Sequence, residues 1–310
     1  MFRISCPMSF VICGAMLGGG QAAEPVKLDA ISAEQAKLER EQLALNQPRA
    51  LTDAMAEFRK TAQSVEYHAG GRTLPGYLYR PSGDGPHPAV LWNHGSEKEP
   101  RAQPELARFY VEHGFVFFVP IRHGHGSTDG PYIVDLQRAI AEKENDQDVV
   151  RRGVVKLHDE YNADVVAALA WLKEQPFVDR KRVIVSGVSY GGIQTLITAE
   201  KGLGVRGFIA FAPGAMSFAN VVLRDRMKDA ANNSKAPLLL LQAQNDYSTG
   251  PSEILAPILK ANGPPSHSTI YPAFGSTNQH GHGAFATWSL GIEQWGGEAL
   301  QFIAAAFRDP

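Results

Sequence analysis

The chain has 310 residues, which is enough for one large α/β domain or two small domains with a substantial core. Hydrophobic residues make up 44% of it and charged residues 20%, the composition of an ordinary soluble globular protein. The formal net charge of −2 and the lack of any run of like charges argue against nucleic acid and anionic membranes as partners.

The pattern of residues 1–23 predicts a cleavable secretion signal. Arg3 supplies a positive start, residues 4–17 are largely apolar, and small residues follow where a signal peptidase would cut. Both cysteines, Cys6 and Cys13, lie inside this segment, so the mature chain has no disulfide and no thiolate. We therefore expect a periplasmic or secreted protein that keeps no stable membrane anchor after cleavage.

Residues 24–64 are rich in Ala, Glu, Gln, Leu and Lys, which predicts an N-terminal helical segment. Pro48 separates two predicted helices, over 32–46 and 50–62. No linker, repeat or low-complexity tract divides residues 65–310, so we expect this part of the chain to form one domain.

A glycine turn at 69–72 joins predicted strands over 65–68 and 74–79 into an antiparallel hairpin. Beyond it, short apolar strands alternate with helices. The predicted strands cover 89–92, 115–120, 183–188, 207–211, 237–242 and 268–271. The predicted helices cover 101–113, 157–172, 193–199, 253–261 and 288–307. This alternation predicts an α/β fold with a mostly parallel central sheet and helices on both faces.

Residues 131–152 interrupt the alternation with a mixed, charged stretch. A small cap and a helical insertion both fit this pattern. The aromatic residues Tyr132, Phe218 and Trp288 fit either a pocket lining or ordinary core packing.

The stretch from Val183 to Gly192 has the pattern of a buried strand that turns at once into a helix. Gly187-Val188-Ser189-Tyr190-Gly191 fits G-x-S-x-G at this turn. Such a corner holds the central side chain clear of the backbone, at the positive end of the helix dipole, and its glycines avoid collisions with neighbouring elements. We predict that Ser189 is a nucleophile; the alternative is an ordinary glycine-rich turn between strand and helix.

A serine hydroxyl needs a base to take its proton, and the base needs an acid that fixes its tautomer. In this type of sheet the acid follows the serine and the histidine comes last. Asp246 directly follows the apolar strand 237–242, on the rim that carries Ser189, and is the predicted acid. Asp225 and Asp229 come earlier in the chain but follow no predicted strand.

The loop 271–284, after the last predicted strand, contains two histidines. We predict that His282 is the base, because a glycine on each side gives its imidazole freedom to move between the acid and the serine. His280 is the alternative base. Two backbone donors are also needed for the developing oxyanion, and we assign them to the N–H groups of Tyr190 and Ser96.

Two histidine pairs raise the alternative of a metal site. His123-Gly124-His125 and His280-Gly281-His282 each have a spacing that can place two imidazoles on one ion. No carboxylate pattern such as H-E-x-x-H accompanies either pair, and the glycines indicate flexible loops. We predict neither a metal nor another cofactor.

With these residues placed, the chain resembles the α/β-hydrolase superfamily, and within it the dienelactone hydrolase-like and prolyl-oligopeptidase-like esterases and peptidases. The motifs that carry the resemblance lie at 92–95, 122–127, 177–179, 187–192, 239–246 and 281–285. Dienelactone hydrolases proper use a cysteine nucleophile, whereas Ser189 stands at that position here, as in general esterases. Prolyl oligopeptidases carry a β-propeller before the hydrolase domain, and residues 24–64 are too short to form one.

The resemblance implies an α/β-hydrolase fold and a secreted serine hydrolase that cleaves an ester, a lactone or a related acyl bond of a small molecule. Two alternatives stay open at this point. One is a serine peptidase acting on short peptides, and the other is a non-catalytic binding protein with a hydrolase fold. The substrate and the oligomeric state do not follow from the sequence.

Overall fold

The computed structural model describes residues 49–308. The predicted signal 1–23 and the predicted helix 32–46 lie outside the described residues. Within them, eight strands form one sheet: β1 Gln63–Ala69, β2 Arg72–Tyr79, β3 His87–Asn93, β4 Val116–Pro120, β5 Val178–Val188, β6 Gly207–Phe211, β7 Leu238–Ala243 and β8 His267–Tyr271.

The strand order of the sheet is β1-β2-β4-β3-β5-β6-β7-β8. Strand β2 runs antiparallel to both of its neighbours, β1 and β4. From β4 to β8 all neighbouring strands are parallel. The predicted fold class, a mostly parallel sheet with an antiparallel hairpin at its start, is therefore confirmed.

The central strands are apolar on both faces because each face is covered. On β3, Ala89 and Leu91 belong to one buried cluster, while Val90 and Trp92 belong to another. Successive side chains of a strand point to opposite faces, so a strand without alternation needs a layer of helices on each side. All five residues of β4 are buried for the same reason.

The helices supply these two layers. They are α1 Arg49–Lys60, α2 Pro104–Glu112, α3 Ile133–Lys143, α4 Gln147–Glu174, α5 Tyr190–Ala199, α6 Val221–Asn232, α7 Gly250–Ala261 and α8 Ser289–Phe307. Buried residues of α4, α5, α6 and α7 pack on one face of the sheet, and those of α2 and α8 pack on the other. None of the helices among residues 49–308 combines the length and the apolar character needed to cross a bilayer.

The stretch 131–152 forms helices that pack beside the sheet edge where β5 ends. It contains α3 and the first turn of α4, whose N-terminus is capped by the Asp146 carboxylate accepting the N–H of Asp148 at 2.8 Å. Ile133 at the start of α3 joins Tyr161 and Tyr190 in a small buried cluster. The insertion therefore contacts the first residue of the helix that follows Ser189.

Because helices cover both faces of the sheet, truncating a side chain on an inner strand should destabilise the fold more than truncating one on an edge strand. Leu240 on β7 is fully buried, whereas Ile270 on the neighbouring edge strand β8 is 40% exposed. Leu240→Ala should lower the free energy of unfolding by about 2–5 kcal/mol, because it leaves a cavity in a packed layer. Ile270→Ala is the matched control, with an expected loss of under about 1 kcal/mol. Urea unfolding followed by circular dichroism measures both, and equal losses would contradict the assigned layers.

Candidate active site

Ser189 occupies a strained corner between β5, which ends at Val188, and α5, which begins at Tyr190. Its φ of 58° and ψ of −117° are a conformation that costs a residue with a side chain about 1–3 kcal/mol. The Ser189 N–H donates to Phe211 O at 2.9 Å, and the Ser189 carbonyl accepts from the Gly214 N–H at 3.3 Å. Backbone on both sides thus holds the corner in place.

The glycines around Ser189 allow a close approach of two backbones. A Cβ on Gly187 would lie 2.6 Å from Gly191 O and 2.7 Å from Asn93 Cβ. A Cβ on Gly191 would overlap the carbonyl oxygen of Asn93. The sequence analysis predicted that these glycines avoid collisions with neighbouring elements. In the structure the element that a side chain would collide with is the end of strand β3, at Asn93.

The structure brings His282 and Asp246 together. His282 Nδ1 lies 2.8 Å from Asp246 Oδ1, and both residues are buried. Because an ionised carboxylate only accepts hydrogen bonds, this contact assigns the ring proton to Nδ1 and leaves Nε2 as the basic nitrogen. Nε2 of His282 is buried and makes no hydrogen bond to any described residue.

A buried glutamine that sequence reasoning missed fixes the carboxylate of Asp246. Gln242 Nε2 donates to Asp246 Oδ2 at 2.8 Å, and Gln242 Oε1 accepts from the Ser252 hydroxyl at 2.7 Å. The Tyr247 N–H donates to Asp246 Oδ1 at 2.6 Å. The sequence signal was present, since Gln242 is a polar residue directly after four consecutive leucines in a buried strand.

His280 takes a different environment from His282. Its Nδ1 accepts from the Ser276 N–H at 3.2 Å, and its ring packs 5.5 Å from that of Trp288. Both histidines lie on a π-helical turn over His280–Ala284, a feature that often marks functional sites. The two glycines beside His282 differ: a Cβ on Gly281 would overlap the Asn245 side chain, whereas a Cβ on Gly283 would meet nothing within 4 Å. Gly281 permits close packing.

The loop after β3 has its carbonyl groups fixed by one distant segment. Five consecutive carbonyl oxygens, from His94 to Lys98, accept hydrogen bonds from residues between 122 and 132. The donors are Arg122 Nη2 to His94 O (2.6 Å) and to Gly95 O (2.8 Å), the Tyr132 hydroxyl to Ser96 O, His125 Nδ1 to Glu97 O (2.9 Å) and the Gly126 N–H to Lys98 O (2.7 Å).

This arrangement sets the direction of the N–H group of Ser96. In a trans peptide the N–H points opposite to the carbonyl of the same unit, so holding Gly95 O on one side turns the Ser96 N–H to the other. No described residue accepts a hydrogen bond from that N–H. The Tyr190 N–H lies at the start of α5, where helix N–H groups have no intrahelical partner. Tyr132 uses its hydroxyl here, which the sequence did not predict.

Behind this loop lies a buried polar cluster of His94, Arg122, His125, His158 and Tyr190. The Arg122 guanidinium lies 4.5 Å from the centre of the Tyr190 ring. Burial, followed by the charge of Arg122, lowers the pKa of His125 and of His158 to about 3. These imidazoles are therefore neutral at physiological pH.

The two histidine pairs do not converge as metal ligands. His123 Nδ1 contacts Asp164 Oδ2 at 2.6 Å, whereas His125 Nδ1 donates to Glu97 O. In the part of the chain that the structure describes, no group of three or more His, Cys, Asp or Glu side chains is arranged to hold a metal ion. Asp225, which follows no predicted strand, pairs with Lys228 on the surface of α6, at 3.0 Å.

Sequence comparison identifies the family. The sequence profile of the dienelactone hydrolase family matches residues 74–287, a stretch that contains β3, the Ser189 corner, Asp246 and both candidate histidines. The chain belongs to the dienelactone hydrolase family. Family membership supports a hydrolase activity.

Known proteins are similar to this chain over part of its length. A polyketide transferase from Penicillium sp is 31% identical over 170 residues, which are 54% of this chain and 50% of that protein. An acylaminoacyl peptidase from Pyrococcus horikoshii matches with a TM-score of 0.58 at 16% identity, over 80% of this chain and 42% of that one. A Pyrococcus furiosus esterase matches with a TM-score of 0.56 at 16% identity, over 78% and 92%.

The chain spans about half the length of the curated relative that it matches. At 16% identity the likeness to the two solved structures shows the fold alone, and that fold is the α/β-hydrolase fold. The resemblance that the sequence motifs predicted is confirmed by the family match.

The buried histidines of this family member predict an acid-sensitive fold. An unfolded histidine has a pKa of about 6.5, whereas that of folded His158 is about 3. Between these values the unfolded chain binds protons that the folded chain does not, so stability falls as the pH falls through this window and is unaffected above it. The loss is at most about 1.4 kcal/mol per pH unit for each such histidine.

Substituting one histidine isolates its contribution. His158→Gln should flatten the pH dependence of the free energy of unfolding between pH 6.5 and 4 by up to about 1.4 kcal/mol per pH unit. His113→Gln, a change at an exposed position, is the control and should leave the slope as in the wild type. Urea unfolding at a series of pH values measures the slope. Equal slopes for wild type and His158→Gln would contradict the neutral state assigned to His158.

Proposed function

We propose that this chain is a serine hydrolase that cleaves an ester, a lactone or a related acyl bond of a small molecule. The observation that carries the proposal is the 2.8 Å contact between His282 Nδ1 and Asp246 Oδ1, with the basic Nε2 of His282 left unengaged. An Asp-oriented imidazole of this kind activates a hydroxyl nucleophile. Ser189, at its strained corner, is the nucleophile we assign.

The topology of the sheet supports the assignment of Ser189 and Asp246 to one site. Ser189 follows β5 and Asp246 follows β7, and these strands are parallel, separated by β6 alone. The carboxyl ends of parallel strands lie on one edge of the sheet, so both side chains belong to that edge. The turn over His280–Ala284 contacts β7, the strand that Asp246 follows.

The reaction then runs in two steps. Ser189 Oγ attacks the substrate carbonyl while His282 Nε2 takes its proton, and His282 returns this proton to the leaving alcohol as the acyl–oxygen bond breaks. Water, deprotonated by His282, next releases the acid from the acyl-enzyme and restores the serine. Asp246 stabilises the imidazolium, and the N–H groups of Tyr190 and Ser96 bind the oxyanion.

Export of the protein is a second part of the proposal and rests on the pattern of residues 1–23 alone. We expect the mature protein to begin near Glu24 and to be found in the periplasm or the medium. Expression with the native N-terminus in a Gram-negative host, followed by fractionation and N-terminal sequencing, measures this. An intact precursor in the cytosol would contradict export and leave the catalytic assignment unaffected.

The catalytic assignment is tested with a fluorophosphonate probe, which labels activated serines. The wild type should be labelled at Ser189, and Ser189→Ala should lose the label together with a fall in kcat on the order of 10⁶. His282→Ala should also lose the label, because nothing then takes the serine proton.

His280→Ala is the matched control, with an imidazole removed two residues away, and should keep both label and activity. Thermal unfolding of each variant checks that it is folded. Loss of labelling in His280→Ala alone would move the base to His280. An unlabelled, folded wild type would favour the binding-protein alternative.

A further inference from the structure

Glu97 places a carboxylate beside Ser189 that the proposed reaction does not use. Its Oε2 lies 2.6 Å from the point where a Cβ on Gly95 would be, and the same point is 3.7 Å from Ser189 Cβ. The Glu97 carboxylate and the serine therefore border one small space above Gly95. The residue before Glu97 is Ser96, which we assign as an oxyanion donor.

The backbone under this carboxylate is held firmly. Ser96 O accepts from the Tyr132 hydroxyl, Glu97 O accepts from His125 Nδ1, and Lys98 O accepts from the Gly126 N–H. Glu97 thus starts from a fixed position on the loop, and only its side chain can change direction. The backbone that carries the charged group is therefore pre-organised, which lowers the entropy cost of binding a ligand.

The carboxylate has no cation of its own. Among the described residues, none forms an ion pair with Glu97; Arg122, His282 and the exposed Arg101 act on the carboxylate only through longer-range attraction, which lowers its pKa less than burial raises it. Arg122 donates to the carbonyls of His94 and Gly95, and His282 is bonded to Asp246. Within residues 49–308, the one hydrogen bond that stabilises the charge comes from the N–H of Glu97 itself.

The Glu97 side chain combines access to solvent with close protein surroundings. Glu97 as a residue keeps exposed surface, so a ligand can reach it. Protein nevertheless surrounds the carboxylate closely enough that loss of hydration raises its pKa above the ordinary value for a glutamate. This anion is partly dehydrated and has no ion-pair partner. A cation that binds beside it is therefore stabilised, whereas an anionic ligand is repelled.

We propose that Glu97 is a specificity-determining residue, and that it selects substrates carrying an ammonium group a short spacer away from the scissile acyl bond. This inference rests on the proposed function of Ser189 and adds the class of substrate. The ammonium lies beside the Glu97 carboxylate while the carbonyl oxygen occupies the site of the Ser96 and Tyr190 N–H groups. A neutral isostere fills the same space without the charge interaction.

Two matched pairs of reagents test the selectivity. The first pair is acetylthiocholine and its carbon isostere 3,3-dimethylbutyl thioacetate. The second is a pair of methylphosphonothioates with thiocholine or 3,3-dimethylbutanethiol as leaving group, which phosphonylate the serine in one step. Each pair differs by a positive charge at nearly constant shape. The ratio of kcat/KM, or of phosphonylation rates, therefore isolates the charge.

The wild type should prefer the cationic member of each pair by about tenfold, the effect of one moderately shielded ion pair. Glu97→Gln, which keeps the shape and removes the charge, should bring both ratios close to one. Rates with the neutral members should change little. Glu99→Gln, the same charge change at an exposed position two residues away, is the matched control and should keep the wild-type ratios.

The outcomes separate the two proposals. Phosphonylation of Ser189 with ratios near one in the wild type, or ratios that fall equally in Glu97→Gln and Glu99→Gln, would overturn the role of Glu97 and leave the serine hydrolase intact. No phosphonylation of folded wild type by either reagent would instead overturn the proposed function. A high wild-type ratio that Glu97→Gln abolishes and Glu99→Gln keeps supports both.

Discussion

The site depends on the close contact between the end of β3 and the corner that carries Ser189. Asn93 is the register partner of Gly187, and only glycine at 187 and 191 lets these backbones meet. The Asn93 amide also donates to the Thr195 hydroxyl on α5, which ties the strand end to the helix after the serine. This contact brings the loop 94–98 beside the nucleophile, so the sheet register itself sets the distance between the assigned nucleophile and the assigned oxyanion donor.

Holding the loop 94–98 in this orientation requires a buried positive charge, Arg122, which destabilises the fold locally. Arg122 is fully buried, and its hydrogen bonds go to carbonyl oxygens and to His94. Burying a charge without a carboxylate partner is unfavourable, and it lowers the pKa of the guanidinium through loss of hydration. The packed layers on both sheet faces supply the stability that permits this. Such a local departure from ordinary packing rules is typical of functional sites.

The sequence predicted what depends on periodicity and on short-range turn chemistry. The strands, the parallel sheet and the strand–helix corner at Ser189 follow from alternation and glycine spacing. The position of Glu97 and the carbonyl contacts of the loop after β3 depend on which distant segments meet, and loops carry no period that reports this. His123 and His125 illustrate the difference: they resemble a ligand pair in sequence, but one turns to Asp164 and the other to Glu97 O.

Substrate preference and oxyanion geometry are linked through one residue. Tyr132 precedes α3, and its hydroxyl holds Ser96 O, next to both the assigned oxyanion donor and Glu97. The insertion that Tyr132 begins packs through Ile133 against Tyr161 and Tyr190. A change in the insertion that moves Tyr132 therefore alters the peptide unit between Ser96 and Glu97. For this reason we expect the insertion and the loop after β3 to move as one unit, so that the proposed specificity and the assigned oxyanion geometry change together.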